Sequence, residues 1–389
     1  MKILIICNYF QRQIPYAESE IARNLALFGH QVEIFTGNKY FPFPHYKFTV
    51  EKVLGKRQTY VGRKKEMGIY VERKRIILEI FARSLFLGVA DKIKNFQPEI
   101  VIVFGLSTPA CIQVALARKK YRFRFIGVDS HLLSELYLKN VYFKRFCYFL
   151  FRLFFAKLID YQIDKIIATQ EGTRIIIDQY YGLSRKAALI SHGSNLDLFK
   201  PDLEKRKLWR KKLHLKKGDF VIIHTGKVIP SKGTKLLMTA FSNLVRKYSN
   251  IYLLIVGDGS ETYKKECLQN LNTDSIKNLM WVGFKKYQFL PTYYNMAEVA
   301  VWPLQESLAM LDAAACGLPL VVNDQIGARE RLANNNALLY KRDNVQDLAQ
   351  KIEFLYLHPV TRIAMGKRSR KLMAEKFSWP SRALEYINL

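Results

Sequence analysis

The chain has 389 residues, of which 49% are apolar, 13% aromatic and 24% charged; this make-up excludes a disordered or low-complexity protein and leaves length for two separate cores. Its formal net charge of +29 directs the surface to phosphates, whether of nucleic acid, anionic lipid or nucleotide. Five widely spaced cysteines form no Cys-x-x-Cys pair, which reads as buried thiols in a reducing compartment. A strand pattern begins at once without a secretory leader, so a cytoplasmic location is expected.

In chain order, residues 2–7 form an apolar strand run, 18–28 show helical spacing, and 32–36 a second strand, so the chain opens with a βαβ unit. Residues 38–75 are aromatic, basic and Pro-containing, a long excursion rather than a compact helix. A helix is expected over 78–94, a buried strand over 99–104, a helix over 107–120, and a strand over 123–128 that ends in Asp129-Ser-His131. Strands alternating with helices predict a doubly wound parallel sheet with ligands at the carboxyl ends of the strands, where His131 lies. Residues 136–159 are aromatic and basic together, and Lys144, Arg145, Arg152 and Lys157 interrupt them too often for a spanning helix. This pattern suits a helix lying on an anionic bilayer; it equally suits a helix packed on its own domain with a solvated basic edge.

A strand is expected over 165–169 and another over 188–190, and the Gly- and Pro-marked turn 191–201 reads as the domain boundary. The strand and helix alternation then restarts. A strand over 220–224 leads through the loop 225–233 into a helix over 234–248. The strand 251–256 closes on Gly257-Asp-Gly259, and 280–282 closes on Gly283-Phe284. A further strand over 299–302 precedes the stretch 304–319, followed by a strand over 320–322 and helix to the end of the chain.

The stretch 304–319 reads as loop, helix and Gly-x-Pro stop, with Ser307 at the N-cap position and two carboxylates, Glu306 and Asp312, about the turn. Amides at a helix start suit a phosphorylated, hydroxyl-rich ligand; an ordinary βα turn with one cap and one surface acid is the other reading. Lys227 and Lys232 straddle a Pro-Ser turn between strand and helix, where two cations can neutralise a diphosphate. In a chain this basic, solvated lysines are the alternative. The signatures of dinucleotide, P-loop, zinc and acyl-transfer sites are missing from the sequence, and so is any Asp-x-Asp pair, which disfavours a metal-dependent mechanism.

Together these loops resemble the retaining GT-B glycosyltransferases of glycosyltransferase family 4. The matching residues are Gly226-Lys227 with Lys232-Gly233, Val256-Gly-Asp-Gly259, Val282-Gly-Phe284, Glu306 to Asp312 with Ala315-Cys-Gly-Leu-Pro319, His192-Gly193 before Phe199-x-Pro201, and Gly29-His30-x-Val32. Asn8-Tyr-Phe10, Tyr16-x-Glu18 and the 40–44 segment look like a bacterial branch that builds cell-surface polysaccharides. Three departures stand out: the acidic pair is spaced Glu-x5-Asp rather than Glu-x7-Glu, Lys227 replaces an Arg, and Pro15 replaces a loop Gly.

The resemblance implies an α/β GT-B fold, two tandem Rossmann-like domains facing a central cleft. The domains would be an acceptor-side domain over 1–200 and a donor domain over 201–389, with the last helix packing back on the first. It implies that Lys227 and Lys232 hold the donor diphosphate, that Asp312 binds the donor ribose, and that Glu306 contacts the sugar. The amides of Ser307, Leu308, Ala309 and Met310 would cradle phosphate and sugar, with Gly226, Gly257, Gly283 and Phe284 completing the donor site. His131 would sit at the reacting face, making His131, Glu306 and Lys232 the catalytic group. The expected activity is metal-independent transfer of a hexosyl group from a nucleotide-sugar donor, with retention, to a hydroxyl of a cell-surface glycan or lipid-linked acceptor. No cofactor beyond the donor substrate, no nucleic-acid partner, and peripheral contact with the inner face of an anionic membrane are expected. The alternatives are a GT-B sugar-nucleotide epimerase or a basic nucleic-acid-binding protein.

Overall fold

A computed structural model describes residues 1–43, 45–131, 141–269 and 271–389. The chain divides into two compact units: Met1–Phe43, Val53–His192 and Trp379–Leu389 form the first, and Pro44–Lys52 with Gly193–Ser378 the second. The division after His192 falls inside the predicted boundary turn, eight residues before position 200, and the end of the chain is part of the first unit.

The first unit is built on eight strands in the order β10-β9-β8-β7-β1-β2-β4-β3. They are β1 (Lys2–Cys7), β2 (Gln31–Gly37), β3 (Gly62–Glu66), β4 (Ile69–Lys74), β7 (Ile100–Phe104), β8 (Arg124–Asp129), β9 (Lys165–Ala168) and β10 (Ala188–Leu189); β5 (Leu78–Ile80) and β6 (Arg83–Leu85) pair separately as a hairpin. All eight run parallel except β3, antiparallel to β4. The central strands are aliphatic on both faces because helices cover both, so Ile3 to Ile6 and Val101 to Val103 are fully buried. The Trp379–Asn388 helix shares the core of β1, burying Trp379, Ala383, Tyr386 and Ile387, and Arg124 Nη1 donates to the Ile387 carbonyl at 2.8 Å.

Two segments differ from the expectations. The predicted helix over 78–94 is instead the β5–β6 hairpin followed by a helix at Val89–Phe96. The chain reverses at Phe81 and Ala82, both at positive φ, and Gly88 at φ 94° starts the real helix; apolar spacing alone did not separate a hairpin from a helix turn. The excursion after residue 37 is held by a buried arginine: Arg73 lies among the rings of Phe10, Tyr40 and Tyr60 and donates to Glu66 at 3.3 Å and to the Phe10 carbonyl at 3.1 Å.

Of the aromatic-basic segment 136–159, residues 136–140 lie outside the described residues. The rest is a Val141–Phe151 helix that widens through a π-turn, Arg152–Ala156, into Lys157–Gln162. One side packs Tyr148, Phe151, Ala156 and Ile159 inward, while Tyr142, Phe143, Phe146, Phe149, Leu153 and Phe154 are exposed. Among the described residues no helix is long and apolar enough to cross a membrane.

The second unit has a six-stranded, wholly parallel sheet in the order β13-β12-β11-β14-β15-β16. Its strands are β11 (Phe220–Thr225), β12 (Ile251–Val256), β13 (Leu279–Trp281), β14 (Val299–Trp302), β15 (Leu320–Asn323) and β16 (Ala337–Tyr340). The expectation of helix throughout the remainder missed β16. Its four residues carry no alternation, and it is a strand because Leu320 to Asn323 offer it a parallel edge. The central strand β11 is buried along its whole length, so the loops that follow β11, β12 and β14 emerge at the sheet's carboxyl side.

Candidate functional site

Three loops of the second unit pack on one another, two of them backbone to backbone. Gly226 N–H donates to the Val256 carbonyl at 3.1 Å and Val228 N–H to the Asp258 carbonyl at 2.9 Å. A Cβ at position 257 would lie 1.7 Å from the Gly226 oxygen, and one at 259 would lie 2.0 Å from the Val228 oxygen. Gly257-Asp-Gly259 is therefore glycine so that two loop backbones can touch. Gly233, at φ 76°, is pressed against Pro303 and Leu304, where a Cβ would come within 2.9 and 2.6 Å. It brings the lysine loop onto the stretch that follows β14.

The carbonyls of that stretch are fixed one after another. Asn323 Nδ2 donates to Pro303 at 3.0 Å and Leu304 at 2.9 Å, the Tyr340 hydroxyl donates to Pro303, Lys232 Nζ to Glu306 at 2.8 Å, and Arg331 Nη1 to Ser307 at 3.1 Å. A loop with its carbonyls held by side chains is set before any ligand arrives, which is the preorganisation an anion site needs. Asn323, Arg331 and Tyr340 carry no signal in the sequence, because nothing there shows which carbonyl each side chain meets.

The helix start is less open than expected. The helix runs only Ala309–Ala315, and its N-cap is Leu308, not Ser307. Ser307 Oγ instead accepts from Ala309 N–H at 3.4 Å, and the Ser307 carbonyl accepts from Met310 N–H at 3.2 Å. Two of the four amides assigned to the phosphate cradle are thus engaged within the turn.

Both acids are interior groups, Glu306 at 3% exposure and Asp312 at 5%, which overturns the surface-acid reading. Asp312 Oδ1 accepts from Ser194 Oγ at 2.6 Å and from the Tyr287 hydroxyl at 3.2 Å. Burial, and then the charge of Asp312, push the Tyr294 hydroxyl and the Cys316 thiol well above their ordinary range. The cations feel the opposite pressure. Burial, followed by repulsion from Lys232, brings Lys227 down to about 7, and burial brings His224 down to about 4, where its Nδ1 meets the Val301 carbonyl at 2.8 Å. A diphosphate placed there would relieve the repulsion. Gly283, at φ 67°, and the half-buried Phe284 follow β13, the edge strand two positions from β11.

His131 belongs to the first unit, just beyond β8. Its Nδ1 lies 2.6 Å from Asp129 Oδ1 and 3.2 Å from the Tyr181 hydroxyl, and its carbonyl accepts from Thr173 Oγ1 at 2.8 Å. Burial raises the Asp129 carboxyl, but the His131 charge, hydrogen bonds from His131 and the Leu106 N–H outweigh it and hold it below the ordinary carboxylate range. Asp129 therefore fixes the imidazole with Nδ1 turned inward. The Asp-Ser-His spacing carried that signal in the sequence; Tyr181, fifty residues on, carried none. Among the described residues no group of three or more His, Cys, Asp or Glu side chains is placed to hold a metal ion.

Two parallel-sheet units with ligand loops at strand carboxyl ends give the chain the GT-B fold. Residues 205–372, within the second unit, match the family described as Glycosyl transferases group 1. A GDP-mannose-dependent monoacylated alpha-(1-6)-phosphatidylinositol monomannoside mannosyltransferase of Corynebacterium glutamicum is 26% identical over 232 residues, 55% of this chain and 60% of that protein. The capsular polysaccharide biosynthesis glycosyltransferase CapM of Staphylococcus aureus is 25% identical over 242 residues, 60% of this chain and 63% of its own length. The match thus spans about three fifths of these relatives. In fold, the structure of Anabaena Alr3699/HepE in complex with UDP superposes with a TM-score of 0.75 at 17% identity, covering 100% of this chain and 99% of that one.

Proposed function

We propose that the chain is a retaining, metal-independent glycosyltransferase that moves a hexosyl group from a nucleotide-sugar donor to a hydroxyl of a cell-surface glycan or lipid-linked acceptor. The observation that carries this reading is the pairing of Lys227 and Lys232 with two buried acids around one preorganised loop of the second unit. As the anomeric bond breaks, negative charge gathers on the departing diphosphate, and the two ammonium groups stabilise it in the place a metal would otherwise take. Asp312 accepts from donor ribose hydroxyls, Glu306 orients the sugar, and His131, steadied by Asp129, binds hydroxyls on the acceptor side. Donor and acceptor suffice, with no resident cofactor.

The relatives' names, one with a phosphatidylinositol-based acceptor and one in capsule synthesis, support the acceptor class. The exposed aromatic face of the Val141–Phe151 helix supports peripheral contact with the inner face of an anionic membrane. A thermal-shift screen against nucleotides and sugar nucleotides identifies the donor by mass action. Turnover with that donor is then followed with and without a chelator, and the product anomer read by NMR. Loss of activity on chelation, or an inverted product, rules out the corresponding part of the proposal.

A further inference from the structure

The β5–β6 hairpin has no part in the site described above, yet it is built against local preference. Its two-residue turn places Phe81 at φ 48° and Ala82 at φ 58°, between the paired residues Ile80 and Arg83. Such a turn ordinarily takes Asn-Gly, because a Cβ at positive φ is strained. The strain holds a large apolar side chain outward: Phe81 is 66% exposed, and Ile77, Leu78 and Ile80 beside it are each more than half exposed. All four of these exposed side chains are apolar and have nothing polar to offer water, which in a soluble hairpin is a cost without return.

The tip is also joined to the helix face. The rings of Phe81 and Phe143 lie 5.3 Å apart between centroids, so the exposed rows of the hairpin and of the Val141–Phe151 helix are continuous. Basic residues border both rows, with Arg75 exposed before the hairpin and Arg145, Arg152 and Lys157 exposed along the helix. An apolar surface edged by cations is complementary to acyl chains beneath anionic headgroups. A protein partner of the same shape would need acidic residues ringing an apolar groove; a bilayer presents that arrangement everywhere.

We propose that the Phe81 hairpin is the second half of a two-part lipid-docking face and inserts together with the Val141–Phe151 helix into an anionic phospholipid surface. The proposal rests on the membrane reading of the helix and adds to it an element that the sequence read as part of another helix.

The test compares three proteins in sedimentation with vesicles of phosphatidylcholine alone and of phosphatidylcholine with phosphatidylglycerol, at low and high salt. The full chain partitions to the mixed vesicles and less so at high salt. Phe81→Asn with Ala82→Gly replaces the strained turn by a relaxed one, so its melting temperature is equal or higher, while its partition falls about tenfold, the weight of one large apolar side chain. Phe146→Ser with Phe149→Ser removes two such side chains and loses binding about a hundredfold. Should the hairpin variant partition like the full chain while the helix variant does not, the hairpin is no part of the face and the helix reading stands alone. Should the full chain itself fail to bind mixed vesicles, both fall. If the double turn variant melts lower, Phe81→Ser, which keeps the rest of the turn, gives the partition readout in its place.

Discussion

The ammonium of Lys232 lies 2.8 Å from the backbone carbonyl of Glu306, so a cation from the loop after β11 holds the main chain of the loop after β14. Lys232 thereby does two things, presenting charge and fixing the loop that carries an acid. Replacing it by Ala removes both, and turnover of the sugar nucleotide falls on the order of 100-fold or more. Circular dichroism is expected to be unchanged, because the side chain is only partly buried. Normal turnover in Lys232→Ala would remove the donor assignment.

Lys227 sets a pH dependence. In the free protein burial and Lys232 hold it at about 7, against an ordinary value of 10.5. A diphosphate favours the charged form, so donor binding takes up a proton above pH about 7, and affinity weakens as pH rises through that value. For stability the sign is opposite: between about 7 and 10.5 the unfolded chain holds the proton and the folded one does not, so this residue adds stability as pH rises. Calorimetry of donor binding in buffers of different ionisation heat detects the uptake, which Lys227→Met abolishes.

The Asp312 carboxylate is held in part by Ser194 and Tyr287. Ser194→Ala deletes a 2.6 Å hydrogen bond to a buried acid, with an expected loss of about 1–3 kcal/mol in urea unfolding. Asp312→Asn keeps the shape but weakens acceptance from ribose hydroxyls, so KM for the donor rises about tenfold with kcat less affected. A fall in kcat alone would move Asp312 from binding to chemistry.

Gly257→Ala would set a Cβ against the Gly226 carbonyl at 1.7 Å. The loops after β11 and β12 would have to part, at about 3 kcal/mol or more. Thermal unfolding in the absence of donor measures this directly; an unchanged melting temperature would show that the glycine serves the ligand instead.

Asp129→Asn leaves His131 without its charged partner across 2.6 Å. Asp129 is held below its ordinary range, so it stabilises the fold above its unfolded value and that contribution is lost as pH falls through the folded one. The variant therefore shows a flatter acid limb in unfolding. It also turns over the donor about tenfold more slowly if His131 serves the acceptor, and at the ordinary rate if His131 is structural.

The alternating pattern made the two parallel sheets legible because strands buried on both faces, such as β11 and β12, must be nearly all aliphatic. Lys227, Lys232, Glu306 and Asp312 could be picked out by their places in the segments that follow β11 and β14, where the ligand loops of a parallel sheet leave it. What stayed hidden was decided by partners distant in sequence. Ala337–Tyr340 is a strand only because β15 lies beside it, and Asn323 and Tyr340 act only through carbonyls folded against them. The β5–β6 hairpin was misread because its turn residues, Phe81 and Ala82, break the turn code on which sequence reading depends.

The Trp379–Asn388 helix places Trp379, Ala383, Tyr386 and Ile387 in one core with Ile3, Ile5, Ala22 and Leu25. The first unit is therefore finished only by residues that follow the whole of the second in the chain. During synthesis its early strands wait with one flank uncovered until the second unit, which ends at Ser378, has been made. A nascent chain halted at residue 378 would carry a complete second unit and an exposed apolar scar on the first, a natural target for chaperones and proteases.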